Sequence, residues 1–138
     1  MIGTLPDPIL QALLETVPIE FSVIDADDKV LAWNKHESRL FKRPKGVVGR
    51  DVRNCHPKHS LHKVEQLLDE MKAGTRDKAR FWIDMAPEPD AKPEKILIEY
   101  YALRDDEGTY LGCVEVTQNV SEIQALEGEK RLLNEVEA

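Results

Sequence analysis

Glu20-Phe21-Ser22-Val23-Ile24-Asp25-Ala26-Asp27-Asp28-Lys29-Val30-Leu31-Ala32-Trp33 is the stretch on which the fold turns. Residues Glu20 to Asp25 alternate around Phe21 and Val23, the period of a strand with two unlike faces. The acidic run Asp25-Ala26-Asp27-Asp28 turns the chain, and Val30 to Trp33 returns as a second apolar strand. The stretch predicts a β-hairpin.

On its N-terminal side, Ile9, Leu10, Leu13 and Leu14 recur at helical spacing between Pro6 and Thr16. Asp7-Pro8 supplies a cap and a first-turn proline, and Pro18 ends the helix. On the C-terminal side, Asn34 to Val52 is punctuated by Pro44, Gly46 and Gly49, which predicts short helical turns and loops. A helix follows in which Leu61, Val64, Leu67, Leu68 and Met71 form the apolar face and Lys63, Glu65, Gln66 and Asp69 the wet one, with Gly74 as its terminator. Three strands come next, Ala79 to Met85, Ile96 to Arg104 and Tyr110 to Thr117, the last two joined through Asp105-Asp106-Glu107-Gly108. Asn119 with Glu122 resembles a capping box opening a last helix through Ile123, Leu126, Leu132, Leu133 and Val136. The pattern predicts an α+β domain of five strands, all able to pair as antiparallel neighbours, with short helical turns between the second and third and flanking helices at both ends.

At 138 residues the chain suits one domain with an appended helix. A formal net charge of −7 disfavours nucleic acid and anionic membrane as partners, since both require a basic surface. No apolar run is long enough to span a bilayer and no signal-like segment opens the chain, so a cytoplasmic location is expected. In that compartment Cys55 and Cys113 are expected as free thiols.

The order of elements resembles a PAS sensor domain over about residues 5 to 122. Phe21 to Val30 is similar to the family's opening hairpin, Trp33-Asn34 to an aromatic-Asn pair that follows it, and Val48-Gly49-Arg50-Asp51-Val52 to the "iGr" turn before its longer helix. Arg104 to Gly112 resembles its last hairpin, and Gln118-Asn119-Val120-Ser121-Glu122 its exit motif, with Asn119 in place of the usual Asp. The Asn54-Cys55-His56-Pro57 box is similar to a PAS subgroup often found with hemerythrin-like domains. The resemblance implies a flanking helix over 1–18, a PAS core over 19–118 and an exit helix over 119–138. It also implies a ligand, haem or flavin between sheet and small helices, and signalling through a homodimer of the terminal helices or through an output domain or partner protein.

Chemistry, if present, is expected around Gly49 to Ser60, where Cys55, His56 and His59 crowd a helix start and His62 follows on the wet face. Adjacent Cys55 and His56 cannot easily turn onto one ion, so a four-ligand zinc site is disfavoured. Haem needs a single axial donor, which makes His56 the first choice and Cys55 the second. The competing reading is that His56 only caps the helix beyond Pro57. Arg53 as a fork for a carboxylate and Trp33 as an aromatic wall complete the expected cofactor-binding set, against plainer readings as surface charge and core. Flavin photochemistry is disfavoured, because the Arg and Gln that follow the reactive Cys in the light-sensing branch are absent here. The chain carries no nucleophile elbow, phosphate loop or metal-protease helix, so an enzyme with a Cys55 nucleophile ranks behind a small-molecule sensor.

Overall fold

The computed structural model describes residues 1–133. In chain order it carries α1 (Asp7–Thr16), β1 (Glu20–Asp25), β2 (Val30–Trp33), three short 3-10 turns (Lys45–Val47, Val52–Cys55, Lys58–Ser60), α2 (Leu61–Ala73), β3 (Lys78–Met85), β4 (Glu94–Arg104), β5 (Tyr110–Asn119) and α3 (Ser121–Gln124). The strands form one antiparallel sheet in the order β2-β1-β5-β4-β3. The fold is the expected α+β arrangement, with α2 and the short turns on one face.

Register aligns the inner-face side chains in rows across the sheet. Ser22 stands opposite Glu115, Glu115 opposite Tyr100 and Tyr100 opposite Ala79. The neighbouring rows run Glu20, Thr117, Ile98, Phe81 and Ile24, Cys113, Ala102. Against the last row α2 sets Leu68 and Met71, which with Ile24, Val30, Val52 and Cys113 form the buried core. Gly74 ends α2 in the left-handed region at φ 79°, as its position predicts.

Several features depart from the sequence pattern. On β1 the buried side belongs to Glu20, Ser22 and Ile24, while Phe21 and Val23 are half-buried on the other face. Two polar residues face inward because they have partners there, described below. The last helix is a single turn, Ser121–Gln124, and the chain from Ala125 to Leu133 is not helical. Asn119 Oδ1 does accept from Ser121 N at 3.0 Å, but Ile123, Leu126, Leu132 and Leu133 are exposed, and so short a segment without packing has too little to offset helix nucleation. Val136 lies outside the described residues.

Helix α1 buries none of its residues. Only its last turn is fastened: Asn34 Nδ2 donates to Leu14 O at 2.7 Å, Lys35 N to Glu15 Oε2 at 2.8 Å and Lys35 Nζ to Glu15 O at 3.0 Å. Asn34 is itself buried, also donating to Ile19 O and accepting from Phe21 N.

Candidate functional site

The inner face of β3 and β4 is only partly roofed. Leu68 and Met71 of α2 cover the sheet near β1 and β5, but the inward residues Phe81 and Ile83 of edge strand β3 remain 43% and 38% exposed. Between them, the Leu40–Arg43 segment, the Cys55–Ser60 segment and α2 lies a cleft of about 1050 Å³. Behind it a cavity of about 20 Å³, room for about one water, shares Arg43, His56, Val64, Leu67, Tyr100 and Glu115 with the cleft.

The floor of the cleft is polar and its bonds are made. Tyr100 OH donates to Glu115 Oε2, and Arg43 donates from Nη2 to Glu115 Oε1 at 3.2 Å and from Nε to Ser22 Oγ at 3.0 Å. One row of the sheet is thus clipped from above by the loop after β2. Beside it Arg39 pairs with Glu20 at 3.1 Å, both almost wholly buried, and donates to the carbonyls of Phe21, Asn34 and Phe41 at 2.9 to 3.0 Å. A buried guanidinium is stable only when its donors are used in this way. Burial still lowers the Arg39 pKa, with Glu20 opposing. Burial pushes the Tyr100 hydroxyl well above its ordinary value, and the charge of Glu115 pushes it further.

His56 lines both the cleft and the cavity behind it. Its Nδ1 lies 3.1 Å from Val52 O. A carbonyl oxygen can only accept, so Nδ1 donates its hydrogen to Val52 and Nε2 is the ring nitrogen left outside that bond. Cys55 and His59 also line the cleft, Cys55 half-buried and His59 exposed. The Cys55 thiol is not poised as a nucleophile: burial raises its pKa, outweighing Arg43 and Arg50.

Arg53 and Trp33 do not join this group. Arg53 turns to the other side of its segment and bonds Asp28 Oδ2 at 3.0 Å, Asp51 Oδ1 at 3.2 Å and Glu65 Oε1 at 3.1 Å. With Lys72, which reaches Asp28 Oδ2 at 2.7 Å, it ties the β1–β2 turn to α2. Trp33 sits on β2, the sheet edge away from the cleft, packs on the core and donates to His36 Nδ1 at 3.0 Å. Among the described residues no three His, Cys, Asp or Glu side chains gather where they could hold a metal ion. Ser22, Arg43 and Glu115 of the floor, and the Glu20–Arg39 pair beside it, were not singled out from sequence. For Glu20, Ser22 and Glu115 the available signal was polarity at alternating strand positions; Arg39 and Arg43 lie in the loop after β2, which has no periodicity.

A family profile described as "PAS domain" matches residues 10–121. No curated protein matches the chain. Among solved structures it is similar to a C-terminal domain from Streptococcus mutans at 27% identity and TM-score 0.80, covering 92% of this chain and 94% of that one. It is also similar to the PAS domain of a protein from Colwellia psychrerythraea, at 17% identity and TM-score 0.58, covering 84% and 99%. The PAS domain of Bordetella pertussis BvgS aligns at 14% identity and TM-score 0.60, covering 86% and 88%.

Proposed function

The chain belongs to the PAS domain family, and on that premise we propose that it is a ligand-sensing signalling module in which occupancy of the cleft resets the terminal segments and a homodimer they form. One observation carries this reading: the row Ser22, Glu115, Tyr100 is held to the loop by Arg43 at the floor of an open, largely apolar-walled cleft. Clefts of this size with a few convergent polar groups are the usual form of small-molecule sites. The two central strands of that row lead to both ends of the chain. β1 follows α1 after Val17–Ile19, and β5 passes into α3 through Val120.

A ligand shifts such a system only by binding two arrangements unequally. One that competes with Glu115 for Arg43 meets this condition, because it favours the arrangement in which loop and β5 are released from each other. The signal then passes to a partner protein or an output domain, in the cytoplasm. Among the described residues no helix is long and apolar enough to cross a membrane.

A second reading, haem as the ligand, is favoured by the His56 tautomer. An imidazole whose Nδ1 donates to a carbonyl presents Nε2 as a fixed donor, the arrangement common in metal-bound histidines. His56 would be the axial residue, Cys55 its neighbour at the rim, and the apolar wall of β3 the bed of the macrocycle. Haem when bound supplies redox or gas-binding chemistry.

Mass spectrometry of the small molecules released on denaturing the purified protein tests the proposal. The expected result is one stoichiometric organic ligand, reduced in Arg43→Ala. A wild-type protein that releases nothing, and that binds no small molecule in a solution screen, overturns it. A Soret band that disappears in His56→Ala selects the second reading.

A further inference from the structure

The walls of the cleft separate by chemistry. Phe41, Val64, Leu67, Phe81, Ile83 and Ile98 supply an apolar surface, on which Phe81 and Tyr100 stack with ring centres 5.9 Å apart. Charge is concentrated in the remaining lining, where Lys42, Arg43, Lys63 and Arg76 face only two carboxylates, Glu70 and Glu115. Glu70 is engaged by Arg76 and Glu115 by Arg43. Among the described residues Lys42 and Lys63 pair with no carboxylate. The cleft therefore carries a surplus of two positive charges within a protein whose net charge is −7. Charge of one sign, collected in a concave site of an otherwise oppositely charged molecule, concentrates ligands of the opposite sign.

We infer that the cleft takes an amphipathic organic anion, a carboxylate on an apolar chain or ring. Its apolar body covers Phe81 and Ile83, which a free domain leaves exposed, and its carboxylate meets Lys42 and Lys63. This inference rests on the reading of the cleft as a ligand site and adds the class of the ligand.

The test uses N-phenylnaphthylamine, a neutral dye that fluoresces in apolar sites, with decanoate and decanol as competitors of equal chain length. Dye emission is expected to rise with the wild type and to be lost in Ile83→Asp, which locates the dye in the cleft. Decanoate is expected to displace it at about a fivefold lower concentration than decanol, as two partly exposed ion pairs would give. The preference should fade toward about 0.5 M salt, where screening is strong. The double variant Lys42→Gln/Lys63→Gln should erase the preference without moving the decanol midpoint, and Lys78→Gln, an exposed lysine outside the cleft, should retain it. Equal displacement by the two competitors, or a preference that survives the double variant, overturns the ligand class while the ligand site stands. Dye emission unchanged in Ile83→Asp, or no binding of dye or decanoate by a protein with a native circular dichroism spectrum, overturns the ligand site and the inference with it.

Discussion

Arg43 Nη2 and Glu115 Oε1 are 3.2 Å apart across 72 residues of sequence. Both side chains are only 13% exposed, so the pair joins the loop after β2 to a central strand under conditions where solvent screens it weakly. Removing either partner leaves the other charge in a half-dry site. Arg43→Ala and Glu115→Ala should each cost about 2 to 3 kcal/mol, and the double variant should fall short of their sum by about 1 to 2 kcal/mol. Urea unfolding of the four proteins measures this, and strict additivity would show that the contact does not couple the two elements.

Two glycines are fixed by geometry. Gly49 has φ 83° and its amide donates to Val30 O at 2.7 Å, so Gly49→Val forces a branched residue into the left-handed region and should destabilise by about 1 to 3 kcal/mol. Gly112 has a different reason: a Cβ there would stand 2.1 Å from Ile24 O, inside the β1–β5 ladder. Gly112→Ala should therefore be the more damaging of the two, and thermal melts that rank them in the opposite order would refute the distinction.

Alkaline pH should weaken the fold through Cys113 and Tyr110. Burial raises the Cys113 thiol to about 12 and the Tyr110 hydroxyl to about 12. These acids stay neutral in the folded state after the unfolded chain has begun to ionise, so stability is complete below the unfolded pKa and is lost as pH rises from about 9 toward 12. The Cys113 thiol contributes a slope of up to about 1.4 kcal/mol per pH unit in that window. Cys113→Ala should flatten the pH dependence of the urea midpoint between pH 9 and 12 while lowering stability at neutral pH; an unaltered slope would mean that the thiol does not titrate there.

Among the histidines the effects should be graded. His56 lines the cleft with Nε2 free, His59 lines it from an exposed position, and His62 is exposed away from it. In a haem titration followed by Soret absorbance, His56→Ala should abolish binding, His59→Ala weaken it and His62→Ala leave it unchanged. Three equal losses would reduce the box at Asn54–Pro57 to a device for starting α2.

Assembly should depend on α1. Ile9 and Leu13 are 55% and 44% exposed on a helix with no buried residue, a stripe that a soluble chain is expected to cover. Light scattering should report a dimer at tens of micromolar, the range in which weak dimers of about −6 to −7 kcal/mol persist. Ile9→Glu/Leu13→Glu should give a monomer with an unchanged melting temperature. A monomeric wild type would remove the terminal helix from the mechanism.

The elements were legible because each advertises itself locally: Pro8 stands in the first turn of α1, though Asp7 is the first helical residue and makes no capping bond, Gly74 closes α2, and the acidic turn at Asp25–Asp28 joins β1 to β2. The floor of the cleft was not. Glu20 and Ser22 alternate with Phe21 and Val23, and period-two reading assigns the polar member to water. Only the partners decide otherwise, and Arg39 and Arg43 reach them across 17 to 21 residues from a loop without periodicity. His56 and Cys55, which line the cleft, stood out in the sequence because their side chains are chemically rare. Arg53 lies outside the cleft because Asp28, Asp51 and Glu65 hold it elsewhere, and of these three only Asp51 is its neighbour in sequence.

The attachment of α1 by its final turn has a consequence for how this chain can diverge. Amides of a helix held at one end by Asn34 and Lys35 should exchange with solvent through local openings that leave β4 and β5 protected. Substitutions along its exposed side should therefore be nearly invisible to the cooperative melting of the sheet. On the proposal that α1 mediates assembly, stability and assembly would rest on different residues of this domain, the buried core for the one and the exposed side of α1 for the other.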